Sequence, residues 1–211
     1  MSTKTTATPG SDASARPLQR TLVLASTSRY RRELLARLQI PFTAVAPVAD
    51  EAALAGERPR DTALRLAEQK ARSVAAAYPD ALIIGSDQVA DYAGEAIGKP
   101  ASGAATRELL LRLSGQSVVF HTGLALFDAR DGTCRRDVVG VRSTFRQLTS
   151  REIERYVARE PALDCAGGVK IEALGIALFA AVESNDPTAL IGLPLIRLID
   201  MLQSVGVRPL A

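Results

Sequence analysis

Two short runs constrain this chain more than anything else in its sequence: Thr21-Leu-Val-Leu-Ala25 and Ala81-Leu-Ile-Ile-Gly85. Each is apolar almost throughout and too short for a buried helix, so each predicts a strand covered on both faces. After the first run, Leu34, Leu35 and Leu38 fall on one face of a helix predicted over residues 31–38, and Pro41 marks the end of that unit. Before the second, Leu64, Ala67, Ala71 and Val74 recur at helical spacing over residues 61–77, where Pro79 stops the pattern. Strand–helix units of this kind build parallel sheet.

The second half reads differently. Gly94 and Gly98 punctuate a hairpin before Lys99-Pro100, and a helix is predicted over 105–113 with Gly115 at its C-terminal cap. Residues 117–127 and 137–145 read as paired strands joined by a turn at Asp131-Gly132. Further expectations are a helix over 150–159, a strand over 176–180 and a last helix over 189–202. With no repeat and no interdomain linker, the chain reads as one mixed α/β domain over 20–211. Residues 1–19 are rich in Ser, Thr, Ala and Pro without an apolar core, which predicts a disordered tail and no secretory signal.

Composition narrows the function. Aromatic residues make up 4% and Trp is absent, which argues against a stacking platform for single-stranded nucleic acid. The net charge of +3 is interspersed, with no basic run, and suits a small phosphate-bearing substrate better than a nucleic-acid partner. Cys134 and Cys165 are too few and too far apart for a disulfide framework or a zinc site. No apolar stretch is long enough to span a bilayer, so no membrane partner is expected. The expectation is a cytoplasmic enzyme.

The basic residues themselves are uneven. Of 26 Lys plus Arg, only four are Lys, and Lys4 lies in the tail, which leaves Lys70, Lys99 and Lys170. An ammonium is a compact point charge suited to phosphate oxygens, whereas a guanidinium is a planar fork. All three lysines lie near other candidate groups. Ser26-Thr-Ser28 with Arg29, Arg31 and Arg32 opens a helix after a strand, where unpaired N–H groups and the dipole favour an anion. The same residues would also serve as a plain Ser cap with solvated arginines, and the glycine-lysine pattern of a P-loop is missing. Asp87 and Gln88 follow the second apolar run, at the end of a strand where ligands of open sheets gather. A carboxylate there can activate water or hold a metal, or merely cap a turn. Asp50-Glu51 would suit a divalent cation that also touches phosphates, or would simply be solvated. His121 has no evident catalytic partner, and no G-x-S-x-G elbow is present, so a Ser-His hydrolase is not expected.

In order along the chain, these motifs resemble the Maf family of nucleoside triphosphate pyrophosphatases. The matching signals are Leu24-Ala-Ser-x-Ser28 with Arg31, Asp50-Glu51, Glu68-x-Lys70, Gly85-Ser-Asp87, Gly98-Lys-Pro100, Ser114-Gly115, Phe145-Arg146, Ala166-Gly167 and Gly192-Leu-Pro194. They cover residues 21 to 208. Ser86-Asp-Gln-Val89, Thr122-Gly-Leu-Ala-Leu-Phe127 and Lys170-x-Glu172 look like the 7-methyl-GTP pyrophosphatase branch, whereas the dTTP/UTP branch has Thr after the aspartate and Gln in place of Glu172. The resemblance implies a Maf/ITPase-like mixed sheet with flanking helices in two lobes around a central cleft. It implies hydrolysis of a nucleoside triphosphate to monophosphate and pyrophosphate with a divalent metal, Mg²⁺ or Mn²⁺, and a possible homodimer. By that similarity Asp87 is the general base, and Tyr30, Gln88 and Glu172 select the base. Ser26, Ser28, Arg31, Lys70 and Lys99 hold phosphates, and Glu51 helps with metal or water. Arg29 departs from the family's usual Pro, Tyr30 from the Trp common in this branch, Gly168-Val169 from a small residue followed by an aromatic, and Ala173 from Gly. Readings of a dTTP/UTP pyrophosphatase, or of a nonenzymatic regulator of septum formation, remain open at this level.

Overall fold

The period-two alternation of the apolar runs decides which helix covers which side of the sheet. In a computed structural model, which describes residues 20–160, 162–163 and 165–210, three central strands are β1 (Leu22–Ala25), β3 (Leu82–Tyr92) and β5 (Ser117–Asp128). Their even positions Leu22, Leu24, Leu82, Ile84, Leu124 and Leu126 face α1 (Arg29–Ala36) and α5 (Leu195–Gln203), and pack with Leu34, Leu35, Leu198 and Leu202. Their odd positions Val23, Ala25, Ile83, Ala125 and Phe127 face α2 (Pro59–Ser73) and meet Ala67 and Ala71. Each large apolar side chain fully buried here contributes about 1.5–3 kcal/mol.

A second core lies farther along the longer strands. Phe120 of β5 and Val141 and Phe145 of β6 (Cys134–Phe145) pack with Leu110 and Leu113 of α3 (Gly103–Leu113), Ile153 and Tyr156 of α4 (Ser150–Arg159), and Phe179 of β7 (Phe179–Glu183). The Phe145 and Phe179 rings tilt by 50° with centroids 4.6 Å apart. The two cores form two lobes on one seven-stranded sheet of order β2-β1-β3-β5-β6-β7, in which β2 is Thr43–Val45 and β4 (Glu95–Ile97) pairs with β3. β1 runs parallel to β2 and β3, and the other pairings are antiparallel. The expected change from parallel units to longer antiparallel strands is therefore present.

Three expectations need correction, and one strand was not foreseen. The second apolar strand does not end at Gly85: β3 runs on to Tyr92, because β5 pairs with it from Leu82 to Asp91 and carries the polar residues along. The expected last helix is two pieces, a 3-10 turn over Ala189–Ile191 and α5, parted by Gly192 with φ +116° and by Pro194. The strand expected over 176–180 begins only at Phe179, after a 3-10 segment over Leu174–Leu178. β2 is a strand that the sequence pattern does not announce. The tail over 1–19 lies outside the described residues.

One glycine sets the distance between helix and sheet. A Cβ on Gly85 would fall within the Ala67 carbonyl and 2.8 Å from the Ala71 nitrogen. The bare backbone lets α2 lie directly on β3.

Candidate active site

Along the β3 edge that faces away from β5, β1 pairs only as far as Gly85 and β4 begins at Ala90. Residues 86–89 have no strand partner there, and a cleft of about 1040 Å³ opens at that gap. All ten residues given a role by the family resemblance line it: Ser26, Ser28, Tyr30, Arg31, Glu51, Lys70, Asp87, Gln88, Lys99 and Glu172. Asp50 does not; its Oδ1 accepts from the Ala52 nitrogen at 3.0 Å in a local turn. The adjacent acidic pair is thus one site residue and one turn residue.

Asp87 shares the strand face of Gly85, so the close approach of α2 brings Lys70 over it. Lys70 is only 7% exposed, contrary to the solvated lysine usual on a helix. Its Nζ donates to Asp87 Oδ1 and to Glu51 Oε1, both at 2.6 Å. The ammonium hydrogen bond is the largest influence holding the Glu51 carboxyl below its ordinary range, with added attraction from Lys99 and Arg31. Lys99 stands farther out, its Nζ 3.8 Å from Glu51 Oε2. No hydrogen bond to Asp87 Oδ2 is found among the described residues, and Asp87 lines the cleft.

The start of α1 lines the same cleft with hydroxyl and guanidinium donors. Ser28 is the N-cap and its Oγ accepts from the Arg31 nitrogen, while Ser26 Oγ accepts from the Ser28 nitrogen at 3.1 Å. The plain Ser cap is therefore real, yet each hydroxyl keeps a hydrogen to donate. Arg31 turns its Nε to the Gly192 carbonyl at 2.8 Å, leaving the two terminal nitrogens of the fork for other acceptors. Burial lowers its pKa, and Asp87 and Glu51 oppose that effect. Tyr30 carries the Arg29 guanidinium 4.6 Å from its ring centroid.

The far wall comes from the second lobe. The Gln88 amide reaches the Thr122 hydroxyl and the carbonyls of Ala189 and Leu190, each at 3.0 Å. Lys170 stands 3.7 Å from Glu160, and its backbone nitrogen donates to the buried Tyr156 hydroxyl at 3.3 Å, which places Glu172 at the rim. Burial pushes that phenol up to about 12, so it acts here as a neutral strut. His121 pairs with Asp91 at 3.1 Å and does not line the cleft. Sequence reasoning quoted Ser86 within its motifs but gave it no role; its hydroxyl reaches the carbonyls of Gly123 and Gly192 at 2.8 Å. It missed Glu57 and Arg65: Arg65 bonds the Glu57 carboxylate and the Ala52 carbonyl, and so tethers the loop that carries Glu51.

Residues 21–205 match the pattern of the Maf-like protein family. The chain belongs to the Maf family. It is 50% identical over 194 residues to a protein of Albidiferax ferrireducens named 7-methyl-GTP pyrophosphatase, covering 92% of this chain and 98% of that one. Relatives of the same name in Aromatoleum aromaticum and Pseudomonas putida are 54% and 52% identical. Those matches take in 88% of this chain and 95% and 97% of theirs. The matched span takes in every residue that lines the cleft. No helix among the described residues is long and apolar enough to cross a membrane.

Proposed function

We propose that this Maf protein is a nucleoside triphosphate pyrophosphatase that hydrolyses 7-methyl-GTP to the monophosphate and pyrophosphate. The observation that carries the reading is the Lys70 ammonium bonded to both Asp87 and Glu51, in one cleft with the hydroxyls and guanidinium at the start of α1.

The chain's own groups divide the work. Lys70 fixes Asp87 through Oδ1, which leaves Oδ2 to take a proton from a water attacking the α-phosphorus. Ser26, Ser28 and Arg31 hold phosphate oxygens, and Lys99 adds charge where the leaving pyrophosphate becomes more anionic. No side chain needs to be nucleotidylated, because water is the nucleophile. A divalent cation would draw on the Glu51 and Asp87 carboxylates, which lie close together because both bond the Lys70 ammonium, and two carboxylates plus substrate phosphates are an ordinary Mg²⁺ environment. Among the described residues no group of three or more His, Cys, Asp and Glu forms a cage, so substrate oxygens would complete the shell. When bound, such an ion would polarise the phosphoryl oxygens and lower the pKa of water.

Base selection falls to the rim. N7-methylation makes guanine a cation, and the Glu172 carboxylate would favour it over neutral bases. The test is pyrophosphate release from 7-methyl-GTP, GTP, dTTP and UTP, with Mg²⁺ and Mn²⁺ tested separately. The methylated nucleotide should be preferred, and Glu172→Gln should cut that preference by about tenfold. Preference for dTTP or UTP would reject the substrate but keep the chemistry. Silence on all four would reject the enzyme reading.

A further inference from the structure

A segment of residues 186–197 lines the cleft beside α1 through Leu190, Ile191 and Gly192, and one buried carboxylate outside the cleft holds it. Asp186 is 3% exposed and lines no part of the cavity. Its Oδ1 accepts from the Thr188 nitrogen at 3.0 Å and from the Thr188 hydroxyl at 2.7 Å. Its Oδ2 accepts from the nitrogens of Ile196 at 2.8 Å and Arg197 at 3.3 Å. Those two N–H groups belong to the first turn of α5, whose own N-cap, Pro194, makes no side-chain cap. Asp186 therefore caps α5 from a distance, with four donors on two oxygens and the helix dipole adding to the attraction. Thr188 completes the clamp: its hydroxyl oxygen accepts from the Leu195 nitrogen and lies 2.8 Å from the Leu193 carbonyl.

What this clamp grips is the turn at Gly192. The left-handed φ of +116° aims the Gly192 carbonyl into the cleft wall, where it accepts from Arg31 Nε and from the Ser86 hydroxyl. Arg31 is a planar fork, so anchoring Nε sets the direction of both terminal nitrogens. We infer that Asp186 is a positioning residue: it fixes the Gly192 carbonyl and through it the plane of the Arg31 guanidinium that meets the substrate phosphates. This rests on the phosphate role given to Arg31 above.

An amide cannot replace the carboxylate. In Asp186→Asn an NH₂ group would face either the α5 nitrogens or the Thr188 donors, donor against donor. The experiment is a double-mutant cycle of Asp186→Asn with Arg31→Lys, since lysine keeps the charge but lacks the Nε anchor. Pyrophosphate release from 7-methyl-GTP is followed well below the unfolding midpoint of every variant. Inhibition by inorganic pyrophosphate is measured alongside as a binding readout. Asp186→Asn should lower kcat/KM by about tenfold in the otherwise unaltered protein, with weaker pyrophosphate inhibition, and by less than about twofold in the Arg31→Lys background. Equal losses in both backgrounds would overturn the inference and leave Asp186 as a helix cap alone. Full kcat/KM in Asp186→Asn with a lowered midpoint would do the same. An Arg31→Lys enzyme as active as the parent would remove the phosphate role of Arg31 itself, and the inference with it. Should Asp186→Asn not fold, Thr188→Val loosens the same clamp with the Asp186 carboxylate intact, and the cycle is read in the same way.

Discussion

Replacing Gly85 by alanine tests whether the seating of Lys70 depends on how closely α2 lies on the sheet. The new Cβ would fall inside the Ala67 carbonyl, 2.8 Å from the Ala71 nitrogen and 3.0 Å from the Ala71 Cβ. All three neighbours belong to one helix segment, and two are backbone atoms that cannot rotate away. α2 must therefore recede as a body, by about 1 Å, to restore ordinary contact. Overpacking of this kind costs about 1–3 kcal/mol, which in a chain of this size lowers the midpoint of thermal unfolding by about 2–12 °C. Lys70 moves with its helix. Its 2.6 Å bonds to Asp87 and Glu51 then lengthen beyond the charge-assisted range. Displacement of a positioned group by about 1 Å costs about a hundredfold in rate. The assay is pyrophosphate release at a temperature where unfolding curves show the variant fully folded. Gly123→Ala is the comparison, because its Cβ would strike the backbone of the same helix at Ala63 and Leu64, two turns before Lys70. Its loss of stability should be similar and its loss of rate smaller. Full activity in a destabilised Gly85→Ala protein would refute the link between helix approach and catalysis.

Other outcomes follow from the same geometry. Lys70→Arg should lose about a hundredfold in turnover, since a fork cannot take the place of one nitrogen 2.6 Å from two carboxylates; near-normal turnover would show that only the charge matters. Gly192→Ala sets a Cβ 3.3 Å from Arg31 Nε at a φ of +116°, and should raise KM more than it lowers kcat. Stability should also fall in acid. The Arg65 hydrogen bond lowers Glu57 from 4.5 to about 2, and the Arg20 hydrogen bond lowers Asp128 from 3.8 to about 2. Stabilisation from these depressed groups is complete above the ordinary carboxylate range and lost as pH falls towards 2. Urea midpoints should drop over that window, and Glu57→Gln with Asp128→Asn should flatten the drop.

The legible parts of the sequence were those where one physical rule acted alone. β1 follows from a short, almost wholly apolar run, and β5 and β6 from a turn between two strand-like stretches in which Asp131 Oδ1 caps the Thr133 nitrogen. The serines before α1, the lone lysines and Asp87 stand out because charge at the end of an apolar run has few uses. The failures arose where tertiary pairing overrode local pattern. Ser86, Asp87 and Gln88 look like a loop, and only ten consecutive pairs with β5 make them strand. Thr43–Val45 is three residues long, with two exposed, and offers too little pattern to find. Gly192 and Pro194 lie inside an apolar run that reads through as helix, although the break they make places the carbonyl that Arg31 needs. Asp186 acts across ten residues on nitrogens that carry no side-chain signal, so no periodicity could reveal it.

The gap in β3 pairing has a consequence for solubility as well. Backbone left unpaired along a strand is a template on which another chain can add, and it is usually blunted by charge, proline or brevity. Here residues 86–89 lie between β1 and β4, below the surface of a cleft rather than at the rim of the sheet. An incoming strand would need both a longer run and open approach, and four recessed residues supply neither. The protein can thus keep an incomplete ladder at its centre, where a small ligand enters and a neighbouring chain does not.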